Sequence, residues 1–192
     1  MTAATKALCA CAALPLAATA GAAWAGDDRG IKIRALKPEA DTYVSAAEPA
    51  RNFGAAAVLR ADAAPKATIY LRFRHPSLSR NVVSVTLLVH AHAGGRNSFE
   101  VRRVPQNEWR EATLTYETAP RPSLRYASAT PGRQGSWRIV DVTPFASDGK
   151  DTITLAITTR SRGGVAFRSR ESKQRPMLVV RTGGRLGEKV SD

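Results

Sequence analysis

Residues 40–62 read ADTYVSAAEPARNFGAAAVLRAD, and their punctuation decides the fold class. From Asp41 to Ser45 polar and apolar residues alternate around Tyr43, with β-branched Thr42 and Val44, as in a half-buried strand. Glu48-Pro49 opens an irregular excursion. Asn52-Phe53-Gly54 closes it with a residue that tolerates positive φ, an aromatic to bury and a glycine. Val58, Leu59 and Arg60 resume an extended run toward Asp62. The stretch is a strand, a pinned loop and a second strand, with no obvious catalytic group.

Downstream the same grammar repeats. In Thr68 to Arg74, TIYLRFR, the alternation sends Ile69, Leu71 and Phe73 inward and leaves Tyr70, Arg72 and Arg74 on the outward face. Val82 to Ala93 puts Val85, Leu87, Val89 and Ala91 on one face, with Thr86, Leu88, His90 and His92 on the other. Gly94-Gly95-Arg96-Asn97 is a turn, and Ser98 to Val104 a further strand. Val101 and Val104 differ in parity there, which predicts a bulge or an early end. Pro105 to Pro122 is a long connection that Trp109 and Tyr116 anchor onto the body. Leu124 to Arg133 reads as a variable loop, Trp137 to Thr143 as a strand, and Pro144 to Gly149 as a short helical turn. Thr152 to Arg160 alternates most clearly, with Ile153, Leu155 and Ile157 inward. Gly163-Gly164 turns the chain into Val165 to Glu171, where Ala166, Arg168 and Arg170 oppose Val165 and Phe167, and a last strand starts at Met177. No long 3.6-residue period and no internal repeat occurs. Many short strands between Gly/Pro turns predict an all-β jelly-roll sandwich of two antiparallel sheets over residues 38–182.

The ends read differently. Met1 to Lys6, the Ala/Leu-rich run to Ala22 and Ala23-Trp24-Ala25 have the form of a signal peptide cleaved before Gly26. Cleavage leaves 167 of the 192 residues, enough for one domain with a real core. Leu8-Cys9-Ala10-Cys11 loosely resembles a lipobox, so a lipid anchor is the alternative to simple cleavage. Residues 26–37 form a basic lead-in with one edge strand, and residues 183–192 a flexible polar tail. Both cysteines, Cys9 and Cys11, lie in the leader, so the remainder has no disulfide framework and no thiolate chemistry. No later apolar run is long enough to span a bilayer. The expected location is the periplasm or the extracellular space.

Of the 29 basic residues 22 are arginine, against 16 acidic residues, for a formal net charge of +13. Arginine presents a planar fork of donors that matches carboxylate, sulfate and phosphate, so this balance points to a polyanionic partner. Solubility alone is the plainer reading of the same charge. Tyr70, Arg72 and Arg74 form the best local ladder of cations, repeating about every 7 Å. Arg168 and Arg170 supply a second row, and Arg51, Arg60, Arg102 and Arg103 extend the surface. On this reading Arg72 and Arg74 are ligand contacts whose removal weakens retention on a polyuronate without changing the melting temperature. Arg170-Glu171 could instead be an internal ion pair.

A family resemblance joins these pieces. ADTYV at 40–44, NFG at 52–54, LRAD at 59–62, LRF at 71–73, the W-x-E-x-x-L-T-Y-x-x-x-P run from Trp109 to Pro120, DVT at 141–143, SRE at 169–171 and PMLVV at 176–180 come in the order seen in DNRLRE domains. The chain resembles carbohydrate-binding module family 96 over about Pro38 to Arg181. That resemblance implies a secreted non-catalytic jelly-roll module, of a kind commonly attached to polysaccharide-degrading or surface proteins, that binds acidic, alginate-like polysaccharide; this chain departs from the pattern in that any degrading enzyme is expected to be absent or encoded separately. Tyr116 stands where the family usually has tryptophan.

Other chemistries fit less well. A polysaccharide lyase needs a base near the proton α to the carboxylate, which His90, His92 or a tyrosine could supply. Arg168-Ser169-Arg170-Glu171 is nevertheless not the lyase pattern. His90-x-His92 lacks a following carboxylate at cupin spacing, and Glu108 and Glu111 are local neighbours rather than a glycosidase pair. No cofactor is implied, although Asp41, Asp62 or Asp141 could cap a calcium-bound loop. Without a recognition helix or RNA-binding motif, nucleic acid is not an expected partner. A structural envelope or matrix protein that binds anionic polymers through the same arginines is the alternative function.

Overall fold

The alternating runs become strands that pair only with antiparallel neighbours. The computed structural model describes residues 31–79, 81–93, 96–129, 132–146 and 149–183. The expected signal peptide, the start of the expected lead-in and nearly all of the expected tail lie outside the described residues. Eleven strands occur within them: β1 (Lys32–Leu36), β2 (Ala40–Ser45), β3 (Val58–Ala63), β4 (Lys66–Arg74), β5 (Val82–Ala93), β6 (Phe99–Val104), β7 (Tyr126–Ala129), β8 (Trp137–Asp141), β9 (Thr152–Thr158), β10 (Val165–Arg168) and β11 (Met177–Thr182). Short 3-10 turns at Pro76–Ser79 and Thr143–Phe145 complete the chain. Among the described residues no helix is long and apolar enough to cross a membrane.

Hydrogen bonds join the strands into one curled sheet, in the order β1-β11-β5-β10-β3-β4-β9-β6-β7, with β2 on the free edge of β4 and β8 on that of β5. Strand β3 makes the bend. Its residues Val58 to Ala61 pair with β10, and Asp62 and Ala63 pair with Ala67 and Lys66 of β4. The limb β2-β4-β9-β6-β7 therefore faces the limb β1-β11-β5-β8 across a shared core rather than forming a separate sheet. Ile69, Leu71, Phe73, Val85, Leu87, Val89, Ile153, Leu155, Ile157 and Phe167 fill that core, as their alternation requires. Phe99 meets Phe167 edge to face at 4.9 Å between ring centroids.

A second, smaller cluster lies on the opposite face of β2, β4, β9 and β6. Ala40, Val44, Tyr70, Val104 and Ala156 meet Trp109 and Leu114 of the 105–122 connection there, with Tyr116 and Ala119 packed alongside. This limb is buried on both faces. The expected bulge in β6 is absent for that reason: Val101 points into the main core, Val104 into the second cluster, and the register with β9 runs unbroken. The 124–133 segment, expected as a loop, contributes β7. Strand β10 stops at Arg168, before the expected Glu171, because Ser169 is buried and its carbonyl accepts from the Ser172 backbone N–H at 3.0 Å.

Candidate functional site

The opening stretch clamps the 105–122 connection onto the sheet. Asn52 donates from Nδ2 to the carbonyls of Glu111 (2.7 Å) and Leu114 (2.8 Å), and its Oδ1 accepts from the Gly54 N–H. A Cβ on Gly54 would lie 2.5 Å from the Glu111 carbonyl oxygen, so only glycine fits this approach. The Glu111 carboxylate accepts from the Asp41 N–H at 2.9 Å and pairs with Arg170 at 3.1 Å. It is a structural hub.

The cation ladder read from β4 is covered rather than open. Tyr70 is 3% exposed, its hydroxyl donates to the Pro120 carbonyl at 2.8 Å, and burial pushes its phenol above the usual range. Arg72 donates from Nη1 to the carbonyls of Asn107, at 3.0 Å, and Trp109, lies over the Trp109 ring, and pairs with Glu39 at 3.2 Å. These bonds hold the connection on the sheet. Arg74 alone of the three stays in solvent, with Nε 3.2 Å from the Thr152 hydroxyl.

The second row separates as well. Arg168 is half-buried on the outer face of β10. Arg170, beyond the strand end, holds the Glu39 carbonyl and the carboxylates of Glu111 and Glu171. Arg51 lies over the Phe53 ring and pairs with Glu48, whereas Arg60 is exposed on β3. The possible calcium ligands do not converge. Asp41 accepts from the Arg170 N–H at 2.6 Å, Asp62 caps Ala64, and Asp141 accepts from Thr143. Among the described residues no group of three His, Cys, Asp or Glu could hold a metal ion. His90 instead meets Trp137 edge to face, at 5.2 Å.

One consequence is measurable. Arg72→Ala should destabilise the fold by about 1–3 kcal/mol, since two carbonyls lose a charged donor. Arg74→Ala should stay within about 0.5 kcal/mol. Thermal melts of both variants check this, and a wild-type melt for Arg72→Ala would refute the structural role.

One open surface on this limb is a groove of about 700 Å³ beside the connection. Its floor crosses four strands, through Val44 on β2, Lys66 and Thr68 on β4, Thr158 on β9, and Glu100 and Arg102 on β6. Three strand spacings make it about 14 Å long. Residues 116–124 form the wall, including Tyr116 and Arg121. Arg102 is committed within the fold to the carbonyls of Ser123 and Leu124 and to Glu100, and it stacks over Tyr126. Arg160, 79% exposed, reaches Glu100 at 2.9 Å. Lys66 and Arg121 make no ion pair among the described residues and face solvent. The sequence reading singled out neither: Lys66 lies just ahead of the 68–74 alternation, and Arg121 lies within the 105–122 connection.

The sequence profile of carbohydrate-binding module family 96 matches residues 32–182. The chain belongs to that family. Family 96 membership makes this domain a carbohydrate-binding module, spanning β1 to β11. No curated protein matches it. Similar solved structures include the N-terminal CBM22-1–GH10 modules of Clostridium thermocellum endo-1,4-β-D-xylanase 10B complexed with xylohexaose. That match has 13% identity and a TM-score of 0.36 over 79% of this chain and 29% of that one. A second comes from work on promiscuous carbohydrate-binding modules of the β-sandwich superfamily, at 12% identity and a TM-score of 0.27, over 82% and 57%. The family 96 chain thus spans less than two thirds of either.

Proposed function

We propose that the protein is an exported, non-catalytic module, jelly-roll in type, that binds acidic polysaccharide along the groove. The observation that carries this reading is the set of solvent-facing cations, Lys66, Arg121 and Arg160, around a channel that crosses four strands. Its length suits a running chain rather than one sugar. Tyr116 offers a ring in the wall, and Thr68 and Thr158 offer hydroxyls on the floor. Exposed ion pairs contribute about 0–1 kcal/mol each, so binding needs several cations together and weakens with salt. Arg160 is the exposed member of its pair with the largely buried Glu100, and Glu100 keeps Arg102 when Arg160 turns to a ligand.

The test is retention on gels that contain polygalacturonate or alginate, against neutral xylan, at low and high salt. Wild type should be retarded by the acidic polymers only, and less so as salt rises. Lys66→Ala/Arg121→Ala/Arg160→Ala should run freely with its melting temperature unchanged. Equal retardation of the triple variant would remove the groove assignment. Appearance of the ultraviolet absorbance of an unsaturated sugar would replace binding with lyase action.

A further inference from the structure

A second concavity, of about 300 Å³, opens on the other side of β2 and β4 from the groove, beside the β3–β4 hairpin. Tyr43 and Phe53 form one wall. Their rings stack at 4.3 Å with 21° between planes. Arg51, 4.9 Å from the Phe53 ring and 2.5 Å from Glu48, braces that stack. Gly164 closes the opposite side with φ of +57°. A Cβ there would lie 2.8 Å from Asp62 Oδ2 and 2.9 Å from the Ala61 carbonyl oxygen. The cleft is thus held in shape by a braced aromatic pair and by a glycine that no other residue replaces without strain.

Two of its polar groups are unengaged. Arg60 lines the cleft and makes no hydrogen bond or ion pair among the described residues; neither does the half-buried Tyr43 hydroxyl. The two sense each other, since the Arg60 charge opposes the upward push of burial on the Tyr43 phenol. A free guanidinium beside a free phenol, with aromatic edges alongside, fits a carboxylate carried on a compact, partly apolar ring. The Asp62 and Glu48 carboxylates at the rim can accept from hydroxyl groups. The volume is too small for a running polymer.

We propose that this cleft binds a single carboxylated sugar unit, as at the end of an acidic chain, independently of the groove. Arg60 takes the carboxylate and Tyr43 donates to it. This inference rests on the acidic-glycan reading above.

The experiment titrates the purified protein with glucuronate, galacturonate, methyl galacturonate ester, glucose and galactose, followed by the backbone amide signals of Tyr43, Asp62 and Gly164 in NMR. Wild type should show saturable shifts with the two uronates and none with the ester or neutral sugars. Arg60→Gln should weaken uronate binding by about tenfold or more, and Tyr43→Phe by less. Lys66→Ala/Arg121→Ala/Arg160→Ala should bind uronates as wild type does. Arg60 is exposed, so its variant should fold normally. Equal binding of neutral sugars, or uronate binding untouched in Arg60→Gln, would overturn the proposal. Retention on polygalacturonate without any uronate shift would overturn the cleft and leave the groove standing. Failure of both would overturn both.

Discussion

Trp109→Ala is expected to lower stability by about 3–5 kcal/mol and the melting temperature by roughly 10 °C. Trp109 is 7% exposed and sits at the centre of the second cluster, between Tyr70, whose ring it meets at 6.1 Å, and Leu114. Its indole N–H donates to the Thr154 hydroxyl at 3.2 Å, and the Arg72 guanidinium lies 5.0 Å from its ring centroid. Truncation removes a large apolar contact, leaves the Thr154 hydroxyl without its donor, and uncovers a guanidinium held under the ring. Trp109→Phe keeps most of the area and should cost about 1–2 kcal/mol, mainly the lost hydrogen bond. Residues 105–122 run on into the groove wall, so loss of glycan retention should accompany the melt change. Circular-dichroism melts with gel retention on the same samples test this. A wild-type melt for Trp109→Ala would mean that the second cluster contributes nothing.

Asp41 should make stability fall as pH rises from about 4 to 7. Its carboxyl is almost fully buried on β2, and burial pushes its pKa from 3.8 up to about 7, with Glu111 and Glu171 nearby adding to the rise. The Arg170 N–H and guanidinium act in the opposite sense and are outweighed. A group whose folded pKa is raised contributes its full stability below the unfolded pKa, and that contribution is lost as pH rises through the folded value. The window is therefore pH 3.8 to about 7, and the loss from this group is about 4 kcal/mol at most. Other carboxylates change stability over the same range, so the measurement is the difference between wild type and Asp41→Asn. Asparagine can still accept from the Arg170 N–H and cannot ionise. Denaturant unfolding at pH 4, 6 and 8 should give near-equal stabilities at pH 4, most of the advantage for Asp41→Asn already at pH 6, and the remainder by pH 8. Parallel pH curves would show that the Asp41 carboxyl titrates normally.

Strand alternation made the main core legible before any coordinates. Ile69, Leu71 and Phe73, or Ile153, Leu155 and Ile157, can point only one way once the strand is recognised. What alternation does not reveal is the cover over the other face. Tyr70 and Arg72 do point away from the main core, yet the 105–122 connection lies on them, since Trp109 and Leu114 need an apolar surface. A signal was present: the outward positions Val44, Tyr70, Ala156 and Val104 are apolar or aromatic, unsuited to open water. Read together across strands, they mark a second buried face. The arginines are harder, because a guanidinium serves equally well to hold backbone carbonyls, as in Arg72 and Arg102, or to meet a ligand. Only the contacts separate those roles, and they leave Lys66, Arg121, Arg160 and Arg60 as the uncovered cations of the two concavities.

The pairing of Lys32 on β1 with Thr182 on β11 brings the two ends of the fold side by side, at one extremity of the strand order. The groove lies on the other limb, at the far side of the curl. A tether joined at either end therefore acts as the same pivot. A domain held there by a surface, a fusion partner or a gel bead turns about one corner with its cationic channel directed outward, and switching the tether from one end to the other leaves that orientation unchanged.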